Sequence, residues 1–344
     1  MFQSLDATQT QRNSTPAASN GHSNGHPKVL SSAESKPVAL KVLSPTSTQN
    51  GHVAGFERAQ NEPYAVDLTA GHTLAEDHRA SLKNASGLSE EVITARGYWT
   101  CDGDRETLRQ MGFSGNSGRC LIAPRWNHKG EFAGNLARPD IPIPNREGKA
   151  AKYLLPKGAT QTLDINPLVR EKLDDPTIPL LFTEGAKKAD SAASHGLPCI
   201  NLNGVSGHRG TNGLGGIATL TAFDDIPLKG KRADGTKFGR IVCIVFDSDV
   251  TTNPKVEGEM LRLARVLSSR GAIVKIVSLE AGPNGEKTGL DDFFARDDGT
   301  AEKLFLRARD LESEAERKAR GIGQKVNTAI AAAKAIPSTD AQAV

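Results

Sequence analysis

Asp247 and Asp249 stand one residue apart at the end of an apolar run, Ile241-Val-Cys-Ile-Val-Phe246. The run reads as a buried parallel strand, and open α/β sheets place their ligands beyond the carboxyl ends of such strands. Two carboxylates at this spacing can share one hard divalent cation through oxygen ligands. An earlier run, Ile178-Pro-Leu-Leu-Phe-Thr183, also ends on an acid, Glu184, which Gly185 follows. The three acids become a constellation if the fold brings the two strand ends together.

The elements that must position them are regular from Pro176 onward. After the first strand comes a small-residue helix, Ala186 to His195, closed by Gly196, and then a second strand, Pro198 to Leu202. A polar, Gly-rich insertion (Ser206–Gly239) precedes the third strand, Arg240 to Phe246. Asn253-Pro254 supplies a cap and a first-turn proline for a helix ended by Gly271, with Val256, Met260, Leu263, Ala264 and Leu267 on one face. Ala272 to Leu279 is a fourth strand. This alternation predicts an α/β fold with an open parallel sheet flanked by helices. Lys287 to Ala295 reads as a loop entering a short helix. Leu304, Ala308, Leu311 and Ala315 mark one face of a final charged helix.

Upstream lies a smaller α+β region. Ser89 to Arg96 reads as a capped helix ending near Gly97, and Asp104 to Met111 as another stopped at Gly112. Cys120–Trp126 and Glu131–Arg138 flank a hairpin turn at Asn127-His-Lys-Gly130. Between Arg119 and Lys157, eight basic residues face three acids, with Trp126, Phe132 and Tyr153 interleaved. A basic groove with aromatic platforms suits single-stranded nucleic acid, with Arg125, Arg138 and Lys152 as candidate contacts. The same pattern also fits a solvated hairpin whose aromatics belong to the core.

Residues 1–80 are rich in Ser, Thr, Asn, Gln, Gly, His and Pro and have few apolar clusters. Such a segment cannot bury enough surface to offset its ordering entropy, so a disordered leader is expected. The organisation is then a leader (1–80), a basic α+β preamble (81–175), a sheet domain (176–322) and a flexible tail (323–344). The beginning lacks a basic start and apolar core, and no run reaches the ~20 apolar residues of a membrane helix. A cytoplasmic protein without membrane contact is expected. Four scattered cysteines argue against a zinc knuckle or a disulfide framework, and the net charge is only +3.

A Glu at one strand end and Asp-x-Asp at a later one, in βαβ order, resemble the Toprim domain of bacterial-type primases, topoisomerases and related nucleases. Thr183-Glu-Gly-Ala-Lys-Lys-Ala-Asp190, Gly204-Val205, Phe246-Asp-Ser-Asp249 and Gly289-Leu-Asp-Asp-Phe293 resemble one branch, a Toprim-like domain of phage and plasmid replication proteins. Arg96-Gly-Tyr98, Leu121-Ile-Ala-Pro-Arg-Trp126, Arg138-Pro-Asp140 and Lys152-Tyr153 resemble that branch's leading region. The resemblance implies Mg²⁺ or Mn²⁺ as cofactor, with Asp247 and Asp249 as metal ligands. Glu184 would be an outer ligand or general acid/base. It implies nucleotidyl or phosphoryl transfer on DNA in the replication of phages, plasmids or mobile elements, with primer synthesis foremost. DNA, nucleotides and a replicative helicase are the implied partners. Lys187 and Lys188 would contact phosphate beside a helix amino terminus, and Lys287 with Asp291 and Asp292 would complete the site. As structural alternatives, the two lysines read as solvated surface and the acid pair as a helix start.

Three other functions share these residues. A Toprim nuclease would use the same metal geometry for cleavage. A non-catalytic DNA- or helicase-binding accessory protein would use only the fold. Phe246-Asp-Ser-Asp-Val-Thr251 also resembles the first motif of haloacid-dehalogenase-type phosphatases, but one helix and one strand before Lys287 are too few for that core, and Glu184 would have no role. There is no G-x-x-x-x-G-K-[ST] phosphate loop, which argues against an ATPase of that type.

Overall fold

The computed structural model describes residues 72–144, 148, 150–296 and 298–311; the leader up to residue 71 and the tail from residue 312 lie outside the described residues. The chain enters through α1 (Glu76–Ser86) and α2 (Glu90–Arg96). Helix α1 begins inside the stretch assigned to the leader, because its first turn is tied down. His78 is buried, with Nδ1 2.8 Å from Thr100 Oγ1 and Nε2 2.9 Å from Asp140 Oδ1. Ser89 caps α2 by accepting from the Val92 amide, and Gly97 ends it at φ 79°, where an L side chain would be strained. β1 (Trp99–Cys101), α3 (Arg105–Gln110), β2 (Cys120–Trp126) and β3 (Phe132–Pro139) follow. The three strands form an antiparallel sheet, with the turn at Asn127–Gly130 closing its hairpin. A short ladder, β4 (Ile143–Pro144) with β5 (Ala150–Ala151), lies beyond.

The main sheet begins earlier than expected, with β6 (Asp164–Ile165). Then come β7 (Leu180–Thr183), α4 (Ala186–Ser194) and β8 (Cys199–Asn201). The insertion folds into two hairpins, β9 (Arg209–Thr211) with β10 (Ile217–Thr219), and β11 (Lys229–Lys231) with β12 (Lys237–Gly239). β13 (Ile241–Ile244), α5 (Pro254–Ser269), β14 (Ile273–Val277), α6 (Leu290–Phe294), α7 (Ala301–Leu306) and β15 (Ala308–Asp310) complete the described chain.

Six strands lie in the order β15-β14-β13-β7-β8-β6, the central four parallel and the two edges antiparallel. The α/β class is as expected. Strand order reverses between β7 and β13, which makes their carboxyl ends a topological switch point. Both faces are covered, which is why these strands are apolar throughout. Leu180, Phe182, Val242 and Ile244 pack with the buried face of α5, whose members are the five residues read from its periodicity. Leu181, Cys199, Cys243 and Val245 pack with Ala189, Ala192, Phe293, Phe294 and Leu304. Among the described residues no helix is long and apolar enough to cross a membrane.

Two expectations are corrected. The final helix ends at Leu306, and Ala308–Asp310 instead pair antiparallel with β14, where Lys275 Nζ meets Asp310 Oδ1 at 2.6 Å. Pairing covers a sheet edge whose amides would otherwise stay open. Ala315 lies outside the described residues. The boundary drawn at residue 175 runs through one packed body, since β6 is an edge strand of the main sheet and one core joins Leu82, Val92 and Leu121 to Phe182 and Val242.

A buried ionic cluster fastens the preamble to the sheet. Arg96 at the end of α2, Asp164 in β6 and Asp190 in α4 are each 0% exposed. Arg96 donates from Nε and Nη2 to the two oxygens of Asp190 (3.0 and 2.5 Å) and from Nη1 to Asp164 Oδ1 (2.5 Å). One guanidinium cannot satisfy two buried carboxylates. Tyr98 Oη (2.8 Å) and Asn166 Nδ2 (3.1 Å) therefore also donate to Asp190, and the Trp126 amide and Asn201 Nδ2 (both 2.9 Å) to Asp164. Burial, reinforced by Asp190, pushes the Tyr98 phenol well above its usual range.

Arg96→Met should lower the unfolding free energy by about 3–5 kcal/mol, because it strands two carboxylates in the core; urea unfolding measures this. His208 is 1% exposed, and burial holds its imidazole below the ordinary range against the pull of Glu259. A depressed folded pKa gives stability that is complete above about pH 6.5 and declines as pH falls below it. His208→Asn should flatten that acid-side decline of the urea midpoint, whatever its effect at neutral pH.

Candidate active site

β7 and β13 lie side by side, and the Val245 amide donates to the Phe182 carbonyl at 2.8 Å, carrying their register past the ladder. Glu184 leaves the end of β7 and Asp247 the end of the β13 run, so the switch point brings the predicted acids together. Gly185 makes the turn after Glu184 at φ 110°, open only to glycine, and its amide donates to Asn201 Oδ1 at 2.7 Å. From the other side, the Ser248 amide donates to the Thr288 carbonyl (2.9 Å) and the Thr288 amide to Ser248 Oγ (3.0 Å). This lacing draws Lys287 over the acids.

Lys287 Nζ lies 3.0 Å from Asp247 Oδ2, 3.2 Å from Asp249 Oδ1 and 3.7 Å from Glu184 Oε1. Lys188 ion-pairs with Asp247, and its Nζ is 3.9 Å from Glu184 Oε1. Lys188 is thus a member of the acidic cluster and not solvated surface. Burial works against the Lys287 charge, but Asp247, Glu184 and Asp249 outweigh it and hold the ammonium pKa above its ordinary value. Burial pushes the Glu184 carboxyl up; Lys188 and Lys287 oppose this, while Asp247 and Asp249 add to it. Asp247 is buried, and the buried Asp249 Oδ1 has the Lys287 ammonium as its ion-pair partner, 3.2 Å away. Glu184, Asp247 and Asp249 are hard oxygen donors of the kind Mg²⁺ or Mn²⁺ takes, but with Lys188 and Lys287 among them their oxygens do not all lie within 4.8 Å of one another. Gly289 closes the site tightly: a Cβ there would lie 2.7 Å from Lys188 Cε and 3.2 Å from Asp247 Oδ1.

A cavity of about 380 Å³ opens beside Glu184, lined among others by Lys187 and Lys188 of α4, Leu136 of β3, Tyr153 and Asp291. Lys187 donates from Nζ to Ser86 Oγ at 2.7 Å, and burial, with Arg138 nearby, pulls it down to about 8. The acid pair divides. Asp292 caps α6 by accepting from the Gly289 amide at 2.7 Å, the helix-start role, whereas Asp291 faces the cavity with its carboxyl pushed up by burial and by Asp292.

The basic segment is more structural than its composition implies. Arg125 is corrected as a nucleic-acid contact: it is 1% exposed and donates to the Ala133 and Thr160 carbonyls at 2.5 and 3.4 Å. Arg119 is held by Asp77, Asp140 and Asp102 at 2.7, 2.8 and 3.2 Å. Trp126 packs edge-on to Phe132 and donates to the Arg96 carbonyl at 3.0 Å. Lys152 is exposed, and Arg138 lies 5.7 Å from the ring centre of Tyr153, which is 38% exposed beside the cavity. Arg146 and Lys149 lie outside the described residues.

Asp77, His78 and Asp140 form the one trio among the described residues whose ligating atoms lie within 4.8 Å of one another. Arg119 ion-pairs with both of its aspartates, and His78 Nε2 lies 2.9 Å from Asp140 Oδ1. Asp164 and Asn201 carry no motif, and their only mark in the sequence is an isolated polar letter in apolar context.

Residues 170–301 match the model of a domain of unknown function, DUF3854. No curated protein matches the chain in sequence. Among solved structures, the chain is similar to the zinc-binding and RNA polymerase domains of the Aquifex aeolicus primase, with 13% identity and a TM-score of 0.45 over 69% of this chain and 57% of that one. It therefore spans little more than half of that structure. The DnaG catalytic core gives 17% identity and a TM-score of 0.43, covering 68% of this chain and 74% of that one. The primase fragment of the bacteriophage T7 primase-helicase gives 13% and 0.38, covering 70% and 80%.

Lys287→Met should lower the thermal midpoint in metal-free buffer by several degrees, since three clustered acids lose their nearest shared cation. Added Mg²⁺ should restore it by mass action, and should restore nothing once Asp247→Asn is combined with it. Gly289→Ala should weaken the same Mg²⁺ response about tenfold by displacing Lys188 and Asp247, read from the Mg²⁺ midpoint of the thermal shift.

Proposed function

We propose that this chain carries a Toprim-like site for divalent-metal-dependent nucleotidyl or phosphoryl transfer on nucleic acid. The observation that supports it best is the meeting of Glu184, Asp247 and Asp249 around Lys287 at the switch point of the sheet. Asp247 and Asp249 would hold Mg²⁺ or Mn²⁺, with Glu184 beside them. When bound, the cation neutralises charge developing on the transferred phosphoryl group. The chain's own groups do the rest. Glu184, its proton affinity raised by burial, accepts the proton of the attacking hydroxyl. Lys287, whose side chain is 47% exposed, ion-pairs with substrate phosphate. Lys187 and Lys188, at the start of α4, offer further positive charge on the wall of the cavity. The cavity pairs this charge with Leu136 and Tyr153, an apolar and aromatic wall that suits a nucleobase.

Primer synthesis in the replication of a phage, plasmid or other mobile element is the task that the motif order implies, with DNA, nucleotides and a replicative helicase as partners. Incubating the protein with single-stranded DNA, labelled nucleotides and Mg²⁺ or Mn²⁺ tests this on a denaturing gel. New labelled oligomers, reduced at least about a hundredfold in Asp247→Ala, are the expected result. Shortened DNA that the same substitution prevents would replace primer synthesis with nuclease activity. Neither product would remove the catalytic reading in favour of a binding protein.

A further inference from the structure

The β11–β12 hairpin has no part in the site above, yet its composition is unusual for a surface ladder. Lys229, Lys231, Arg232 and Lys237 are all exposed, and none forms an ion pair with a described residue. The one acid in the hairpin, Asp234, is engaged in the turn, where it accepts from the Thr236 amide at 2.8 Å. Lys231 sits directly opposite Lys237, and Lys229 lies two residues from Lys231 on the same strand. Alternation therefore puts the three lysines on one face. Like charges directly opposite one another destabilise a ladder. The other face is built for attachment. Phe238 lies over Gly230, where a Cβ would come within 2.5 Å of its Cζ and 3.0 Å of Pro176 Cγ, and Arg232 lies 5.5 Å from the Phe238 ring centre.

The Phe238 face packs on the body, and at the Lys229–Gly239 end the lysine face also meets Gly271 and Ile273; beyond that contact the paired, mutually repelling Lys231 and Lys237 stand uncompensated in solvent and have the electrostatics of a polyanion site. The lysine face carries no apolar side chain to enter a bilayer. Its spacings of ~5–8 Å suit a backbone of successive phosphates. We propose that the β11–β12 hairpin binds the phosphate backbone of nucleic acid through Lys229, Lys231 and Lys237, at the end of the sheet opposite the acids. Lys237, the nearest of the three in sequence, precedes Asp247 by ten residues, so their backbones lie at most about 33 Å apart. A strand long enough to bridge that span engages both. The ligand class rests on the reading of the site as one acting on nucleic acid.

The experiment is fluorescence anisotropy of the full chain with labelled oligothymidylate over a salt series, beside K229Q/K231Q/K237Q. Expected are a roughly tenfold loss of affinity at low salt and a fall of about 2 in the slope of log K against log salt, at ~0.7 per phosphate contact. Relief of the Lys231–Lys237 repulsion should leave the thermal midpoint equal or higher. K231E, which creates a cross-strand ion pair with Lys237, should be at least as stable and should also bind more weakly. An unchanged slope, no binding by the wild type, or lysine-dependent binding to phosphatidylserine vesicles in place of DNA would each overturn the inference. Asp247→Ala should abolish turnover and leave the salt slope intact, so the catalytic reading and this one fail separately.

Discussion

Arg96 holds the molecule together where a single apolar core would not fix one geometry. Its guanidinium bridges Asp190 on α4 and Asp164 on the sheet edge from the end of α2, with all three groups at zero exposure. Removing these charges from water is costly, and the arrangement survives because four further donors satisfy the remaining carboxylate lone pairs. The cluster fixes the preamble, α4 and β6 relative to one another.

That constraint reaches the candidate site through hydrogen bonds. Asn201 donates to Asp164 and accepts the Gly185 amide, so the turn that aims Glu184 is tied to the ionic cluster. The other half of the site is set by topology. Reversal of strand order between β7 and β13 places two strand ends side by side, and the Ser248–Thr288 lacing brings Lys287 across them. Two lysines then face three acids in a partly buried setting. Lys287, its side chain 47% exposed, reaches the cluster from solvent.

Much of this was legible in the sequence because hydrophobic periodicity records burial directly. The five apolar positions of α5 and the uninterrupted runs of β7 and β13 could not belong to an exposed surface. The acids at the strand ends stood out because polarity changed abruptly there. What was not legible depends on contacts distant in the chain. Ala308–Asp310 has a helical neighbour and a helical pattern, yet the open edge of β14 draws it into a strand. Arg125 and Arg138 are indistinguishable as letters; one satisfies carbonyls inside the hairpin and the other lies over Tyr153. Arg96, Tyr98 and Asp190 belong to separate motifs of the sequence, and their contact is a tertiary fact.

The central claim is that Asp247 and Asp249 hold a divalent cation. Calorimetric titration of Mn²⁺ into the full chain, beside Asp247→Asn/Asp249→Asn and beside His78→Gln, tests it most directly. The account predicts saturable binding that the double substitution abolishes and His78→Gln leaves intact. Binding that survives the loss of both aspartates and disappears with His78→Gln would contradict it, as would no binding at all.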